Sequence, residues 1–248
     1  MTAAQLLDPG PMVALEPPAY PKRWVRWGHP WQVGTPAFWV GLTGSTKLDE
    51  DGLGADDRHR LGRTLIEEVA VCLLGGHGMP HQMGLAAFET VRDARLLDRA
   101  STACEIESAL RLPMNVGDRA VKYRFPAQKA AFLAAALEQL HASDPPMGAP
   151  ELRDWLLQLP GIGPKTSGWI VRNFLGSDEV AIIDIHVFRA GADAGVFDPG
   201  WTPARDYGQL EALFLCWAEL GGVRAADLDA VIWSERARMP RAYARSAS

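Results

Sequence analysis

Residues 150–189 read PELRDWLLQLPGIGPKTSGWIVRNFLGSDEVAIIDIHVFR, and this stretch decides the fold. Pro150 can open a helix because it has no amide hydrogen to leave unpaired, and leucines then recur at helical spacing. Pro160 and Gly161 end that helix, and a second helix is predicted to begin at Pro164. The glycine turn therefore presents backbone amides at a helix start, which favours an anion such as a phosphate.

Two charged residues follow the turn. Lys165 falls in the first turn of the second helix, and a lysine amine without its proton is a nucleophile. Asp184 comes nineteen residues later, between an apolar run and a new helical pattern, and is predicted to cap that helix. Together they suit displacement of a base from a deoxyribose carbon. Taken singly, each has a plainer interpretation: a solvated lysine that binds phosphate as a point charge, and a helix cap.

The motif L-P-G-I-G-P-K-T at 159–166, followed by I-I-D-I-H at 182–186, resembles the helix-hairpin-helix DNA glycosylase superfamily in its lysine-bearing branch. Within that branch it is most similar to the 8-oxoguanine DNA glycosylases, including the compact archaeal type. The resemblance implies an all-α fold, with two helical subdomains and the active-site cleft between them. It implies no organic cofactor and allows for a monovalent cation on carbonyls of the hairpin.

The resemblance also assigns roles to residues of the motif. Lys165 would attack C1′ and form a Schiff base, while Asp184 would support the oxocarbenium-like transition state and the deprotonation of the lysine. Gly161, Gly163 and His186 would contact DNA phosphates. For His186 the plainer interpretation is an ordinary solvated or satisfied histidine. The Schiff base would permit β-elimination, so the implied enzyme is a glycosylase with abasic-site lyase activity.

Three further residues resemble the family's base-binding groups. Trp169, four residues after the lysine, would cover one face of an extruded base. Asp229 and Trp233 share one face of a predicted helix and would contact the guanine edge and stack on the base. The plainer interpretation makes both tryptophans core residues. The larger 8-oxoguanine enzymes carry a cysteine where this chain has Trp169, which leaves a different modified base open as the substrate.

The charge of the chain counts against binding DNA by bulk electrostatics. The net charge is −5 and the pI is about 5.7. Two local basic groups stand out: Lys22, Arg23 and Arg26 lie among tryptophans, and residues 234–248 hold four arginines against one acid. We therefore expect a narrow basic strip and a strong dependence of DNA binding on salt.

The cysteines and histidines predict no metal site. The three cysteines are far apart and odd in number, so neither a disulfide framework nor a zinc ligand pair is indicated. Three cysteines also exclude the four-cysteine iron-sulfur cluster of related glycosylases. His77 and His81 lack a third ligand. The N-terminus does not resemble a signal peptide, and no run of about 18 apolar residues occurs. We expect a cytoplasmic, nucleoid-associated monomer that acts on double-stranded DNA and not at a membrane.

Helical patterns predict three parts of the chain. Residues 1–60 read as an irregular N-terminal arm with part of a terminal subdomain, because the first 36 residues hold seven prolines and no sustained period. Residues 61–185 form a central helical subdomain that contains the hairpin at 159–164. Residues 186–248 supply the C-terminal helices that complete the terminal subdomain.

One predicted helix of the central part ends in a cluster of glycines. An apolar stripe predicts a helix from Leu61 to Leu74, ended by the cluster Gly75-Gly76-His77-Gly78. In the family, the corresponding helix end supplies a carbonyl that accepts the N7 hydrogen of 8-oxoguanine. The plainer interpretation is a glycine helix end.

The sequence thus predicts a DNA base-excision-repair glycosylase with lyase activity that removes 8-oxoguanine through Lys165. One alternative is the same mechanism on another base. A second, from a different class, is a noncatalytic DNA-binding module that uses only the hairpin. A binding module would tolerate Lys165→Ala and Asp184→Asn, whereas an enzyme would lose turnover.

Overall fold

The structure is a computed structural model that describes residues 8–46, 59–76 and 78–238. Within these ranges it contains ten α-helices and two short β-hairpins. The all-α expectation is therefore confirmed at the level of architecture. The chain forms two compact units, one from Leu53–Ser177 and the other from Met1–Gly52 with Asp178–Ser248. The subdomain ranges predicted from the sequence stay predictions.

In chain order, the elements are β1 (Met12–Leu15), β2 (Arg23–Arg26), α1 (Pro36–Ser45), α2 (Leu65–Leu74), α3 (His81–Asp93), α4 (Ala103–Leu110), β3 (Met114–Val116), β4 (Arg119–Val121), α5 (Pro126–Ala142), α6 (Ala149–Leu156), α7 (Pro164–Leu175), α8 (Ile185–Asp193), α9 (Tyr207–Gly221) and α10 (Ala225–Arg238).

Helix α2 is the central helix of the unit formed by residues 53–177. Eight of its ten residues are buried, which an amphipathic surface helix could not achieve. It packs against α3, α5 and α7, while α4 packs on α5 and α6 packs on α7. Because α2 contacts α7 along this core, the position of the helix that carries Lys165 depends on α2.

The start of α2 differs from the sequence prediction. The helix begins at Leu65 and not at Leu61, because Thr64 is the N-cap and its side chain accepts a hydrogen bond from the Glu67 amide. The amides of Leu61 and Gly62 instead turn back and donate to the Glu68 carboxylate. The apolar stripe thus runs through a capping loop before the helix begins.

The second unit is built from the two chain ends. Its core includes Phe197, Phe214 and Trp217, and α9 packs on β1, α1 and α10. The prediction of an irregular N-terminal arm is wrong at β1 and β2, because these two strands pair as an antiparallel hairpin. The two strands bury one residue each in the core, and segments of four residues show too little alternation to be recognised.

The apolar segment Phe38–Leu42 lies in α1. Thr35 caps this helix by accepting from the Phe38 amide, and Pro36 occupies its first turn. Trp39 is fully buried in the same core. Cap and proline together explain why this apolar segment is helical.

Candidate active site

The predicted glycine turn links α6 to α7. The Ile162 amide donates to the Leu159 carbonyl across the turn, at 3.2 Å. Gly161 has a φ of +83°, and a β-carbon added there would lie 2.3 Å from the ring of Phe132 on α5. Only glycine fits, since a larger residue would meet both an unfavourable backbone conformation and a clash. The conformation of this turn therefore depends on glycine at position 161.

The amides of this turn are available to a ligand. Gly161 and Gly163 are exposed, and neither amide donates to an acceptor in the part of the chain that the structure describes. Helix α7 has no side-chain cap at Gly163. Free amides at the positive end of a twelve-residue helix form a site that suits a phosphate. Their role in binding phosphate stays a prediction.

Lys165 lies in the first turn of α7, as predicted. Its side chain is half-buried, and its amine forms no hydrogen bond or ion pair with any residue among 8–46, 59–76 and 78–238. A half-buried lysine that only stabilised the fold would be expected to form an ion pair or a hydrogen bond, because burying an unpaired charge costs free energy. The amine is instead left available for chemistry.

Trp169 lies one turn after Lys165 on the same helix. Its ring atom Cη2 lies 3.6 Å from the position that a β-carbon of Gly75 would occupy. The indole therefore faces the C-terminal end of α2, at the place where the chain has no side chain. This pairing of a half-buried tryptophan with a bare glycine brings together the two features that the sequence associated with the base.

Two side chains fix the C-terminal end of α2. The Lys129 ammonium donates to the carbonyls of Leu73 and Gly75, at 2.6 and 3.1 Å. The Tyr123 hydroxyl donates to the carbonyl of Leu74. Burial lowers the pKa of Lys129 and raises that of the Tyr123 hydroxyl. These carbonyls would otherwise lack partners at a helix end, so the two side chains hold the glycine cluster in place.

Nothing in the sequence distinguishes Lys129, because a lysine in an amphipathic helix is ordinarily solvated. The glycine cluster itself is only partly described. Gly76 and Gly78 have φ of +92° and +74°, which favours glycine at both positions. His77 lies outside the described residues, so the prediction that it binds no metal stays a prediction.

A buried polar network joins α2 to α7 behind the lysine. The Glu68 carboxylate is fully buried and accepts from the Asn173 side-chain amide at 2.7 Å. The Asn173 oxygen in turn accepts from the Arg172 guanidinium. Burial raises the pKa of Glu68 and that of the neighbouring Cys72 thiol. The side chains of Glu68, Asn173 and Arg172 are thus joined by hydrogen bonds, and this network connects α2 to α7.

In the unit formed by the chain ends, Asp184 caps α8, and this prediction is confirmed. Its Oδ1 accepts from the amides of His186 and Val187, both at 2.8 Å. The side chain is 9% exposed, and no described residue donates to Oδ2. Two amides thus fix the orientation of the carboxylate, while its second oxygen remains available for a proton or a developing positive charge.

The remaining predicted residues also lie in this unit. The half-buried imidazole of His186 makes no hydrogen bond with the residues that the structure describes. On α10, Asp229 is 5% exposed and Trp233 is 46% exposed. Trp233 is therefore not a core residue, and the plainer interpretation fails for it.

The predicted site residues fall into two groups. Gly161, Gly163, Lys165 and Trp169 belong to the unit of residues 53–177. The second group belongs to the unit of the chain ends and consists of Asp184, His186, Asp229 and Trp233. None of the described residues form a group of three or more His, Cys, Asp or Glu that could hold a metal ion. No described helix is both long and apolar enough to cross a membrane.

A helix, a glycine turn, a second helix that starts with a lysine, and an aspartate that caps a further helix are the features of the helix-hairpin-helix class of DNA glycosylases. Residues 57–220 match the family described as 8-oxoguanine DNA glycosylase. The chain belongs to the 8-oxoguanine DNA glycosylase family, whose members act in base-excision repair of DNA. The predicted family, enzyme class and DNA substrate are confirmed by this membership.

Solved structures show the same fold. The 8-oxoguanine glycosylase/lyase of Methanocaldococcus jannaschii, in complex with a 15mer DNA containing 8-oxoguanine, superposes with a TM-score of 0.55 at 22% identity. That match covers 71% of this chain and 81% of the archaeal one. The 8-oxoguanine DNA glycosylase of Thermotoga maritima gives a TM-score of 0.51 at 25% identity, covering 69% of this chain and 78% of the other. The helix-hairpin-helix glycosylase fold is therefore confirmed.

Proposed function

We propose that this chain removes 8-oxoguanine from double-stranded DNA and then cleaves the abasic strand through a Schiff base on Lys165. The neutral amine attacks C1′, and the glycosidic bond breaks as the base leaves with the bonding electrons and takes up a proton. Opening of the sugar gives an imine at C1′. β-Elimination from the imine then expels the 3′ phosphate and leaves an unsaturated sugar on Lys165, which water releases.

One observation carries this proposal: the half-buried Lys165 amine has no partner among the described residues, at the start of a helix whose amides suit a DNA phosphate. A lysine held in this way keeps its lone pair accessible once the proton is lost. The archaeal relative is described as a glycosylase/lyase, which agrees with an amine nucleophile.

Asp184 is the carboxylate that we assign to the reaction. Its amide-held Oδ1 keeps it oriented, and Oδ2 would accept the proton of the lysine and stabilise the positive charge that develops on the sugar. Gly161, Gly163 and His186 would contact phosphates of the bound DNA.

The base would be held by Trp169, Asp229 and Trp233. Tryptophans offer flat surfaces for stacking, and a carboxylate accepts from the N–H groups of a guanine edge. A site built to hydrogen-bond one base rejects an analogue that lacks the partner group. Trp169, which differs from the cysteine of the larger enzymes, keeps another modified base as the alternative substrate.

The monovalent cation allowed by the resemblance stays part of the proposal. The carbonyls of Pro160, Gly161 and Ile162 accept no hydrogen bond from the described residues, so these oxygens fit a hard cation. We also propose a cytoplasmic, nucleoid-associated location and a monomeric state.

The proposal is tested by borohydride trapping on labelled duplexes that contain 8-oxoguanine, thymine glycol, uracil or an abasic site. Borohydride reduces the imine and leaves a covalent protein–DNA adduct. Wild type is compared with Lys165→Ala and with a control, Arg95→Gln, which removes an exposed cation that pairs with Asp98. We expect an adduct on the 8-oxoguanine duplex with wild type and with the control, and none with Lys165→Ala.

Each other result overturns a defined part of the proposal. An adduct on a different lesion alone keeps the mechanism and replaces the substrate. An adduct that survives in Lys165→Ala places the nucleophile elsewhere. No adduct on any duplex, with DNA binding retained, favours an enzyme without lyase activity or a noncatalytic binding module.

A further inference from the structure

The segment that contains the β3–β4 hairpin has a charge opposite to that of the chain. Residues 111–129 contain five cations, Arg111, Arg119, Lys122, Arg124 and Lys129, and one acid, Asp118, which gives a local charge of +4 (5 − 1). The whole chain carries −5. A cluster of this kind on an acidic protein points to a binding function, because charge of one sign otherwise repels itself.

Two of these cations have no partner in the described structure. Arg119 and Lys122 are exposed and form no hydrogen bond or ion pair with residues 8–46, 59–76 or 78–238. The other three are engaged: Arg111 pairs with Glu107, Arg124 donates to the Gly78 carbonyl, and Lys129 holds the end of α2. Free charge is therefore concentrated on β4 and the residue that follows it.

The basic group predicted in the N-terminal arm differs in this respect. Lys22 pairs with Glu16, Arg26 donates to the Gly10 carbonyl, and Arg23 donates to the Gly195 carbonyl. These three cations are therefore engaged within the protein. In the β3–β4 segment, Arg119 and Lys122 have no such partner among the described residues.

The hairpin is anchored at its base and exposed at its tip. Met114 is buried, and β3 packs against α3. The tip consists of Gly117, which has a φ of +59°, and Asp118, while every residue of β4 is exposed. Antiparallel pairing holds β3 and β4 together, and β3 attaches the pair to α3. The side chains of the pair can therefore meet a large partner without rearrangement of the core.

The residues that anchor the β3–β4 hairpin also contact the region around Trp169. Tyr123, two residues beyond β4, bonds the end of α2, and Gly75 at that end faces Trp169. Helix α5, which follows directly, carries Lys129 on the end of α2 and, one turn later, Phe132 against Gly161 of the glycine turn. The hairpin, the glycine turn and the proposed base-facing tryptophan are thus connected through one helix.

We propose that the β3–β4 hairpin is a second contact surface for the DNA backbone, in which Arg119 and Lys122 each neutralise one phosphate. This inference rests on the proposed function, since it assumes DNA as the partner. Three residues of extended chain span roughly 10 Å. Each strand of a duplex carries a phosphate about every 3.4 Å of helix axis, so two cations at this spacing are close enough along the chain to meet different phosphates of one duplex.

The test measures the affinity of the full chain for a short duplex that carries a tetrahydrofuran abasic analogue, which cannot form an imine. The dissociation constant is followed over a range of NaCl concentrations for wild type and for Arg119→Gln/Lys122→Gln. Each lost phosphate contact should reduce the slope of log affinity against log salt by about 0.9, so the double variant should lose about 1.8 and bind about tenfold more weakly at low salt.

Two control variants separate charge from position. Arg92→Gln/Arg95→Gln removes the same charge from the same unit, at cations that already pair with Asp93 and Asp98, and its slope should stay close to that of wild type. Arg119→Lys/Lys122→Arg keeps both charges and should retain the slope. If the double glutamine variant melts at a lower temperature, the two single glutamine variants replace it, each with an expected loss of about 0.9.

The outcomes distinguish this inference from the proposed function. If wild type binds and is trapped by borohydride but the glutamine variant keeps the wild-type slope, the hairpin does not contact DNA and the inference fails alone. An equal loss in the Arg92/Arg95 control shows a general charge effect and also overturns it. If wild type neither binds nor traps, the proposed function fails first, and an acidic protein surface becomes the partner to test.

Discussion

Two nearly buried carboxylates, one in each unit, have opposite surroundings. Asp184 at the start of α8 is held by two backbone amides on a single oxygen. Glu68 near the start of α2 is surrounded by donors on both oxygens, from Asn173, Cys72, Leu61 and Gly62. Asp184 retains an oxygen without a described partner, whereas Glu68 retains none.

The comparison shows that burial alone does not separate a carboxylate that is available to a substrate from one that only holds the fold. Every lone pair that a carboxylate commits to the fold is one that it cannot offer to a substrate. Glu68 uses its charge to connect a loop and two helices, which is a structural role. Asp184 is oriented by the fold but not consumed by it. The two residues should therefore respond in opposite ways to substitution.

The sharpest test is Asp184→Asn, and we expect the excision rate to fall by about 10² to 10⁴, the usual contribution of a positioned acid or base. Asparagine caps helices about as well as aspartate, so the free energy of unfolding should change by less than about 1 kcal/mol. Single-turnover excision of 8-oxoguanine and urea denaturation measure the two quantities. A large loss of stability, or a rate within a few-fold of wild type, would make Asp184 a cap and nothing more.

The opposite behaviour is expected when the Glu68 network is broken. Asn173→Leu removes the amide that joins Glu68 to Arg172, so the buried carboxylate loses one donor and the buried guanidinium loses one acceptor. We expect a loss of about 3 kcal/mol in the free energy of unfolding, measured by urea denaturation. The matched control is Asn115→Leu at an exposed position of β3, with a change within about 0.5 kcal/mol.

If Asn173→Leu were as stable as wild type, the network would not hold α2 to α7. Glu68 would then have no structural role to set against Asp184. If the stability falls but borohydride trapping per folded molecule also disappears, the network positions Lys165. Those two results separate a purely structural Glu68 from one that acts through the lysine helix.

Much of the lysine-bearing region could be predicted from the sequence, because its signals are local. Proline and glycine mark the ends of α6 and the start of α7, and the cap at Asp184 depends only on residues directly after it. The confirmed family followed from the same few residues. Hydrogen bonds between neighbours in sequence can be inferred without a structure.

The rest required the structure, for physical reasons. Strands of three or four residues show hardly any alternation, so both hairpins were missed. The bond from Lys129 to the end of α2 joins residues more than fifty positions apart, and nothing local announces it. Glu68 stands in an apolar run as an apparent first-turn acid, and only the packing of α7 shows that it is fully buried.

The smallest effect that we predict concerns the pH dependence of stability. Burial raises the pKa of Glu68 above its ordinary value of 4.5, so between these two values the folded protein binds the proton that the unfolded chain has already released. Stability that depends on this proton is fully present below pH 4.5 and is lost as the pH rises through the raised pKa. Glu68→Gln lacks this titration. The difference in unfolding free energy between wild type and Glu68→Gln, measured by urea denaturation, should therefore fall as the pH rises above 4.5 and level off at higher pH. A difference that rises over this window would mean that the four donors outweigh burial and that the pKa of Glu68 is not raised in the folded protein.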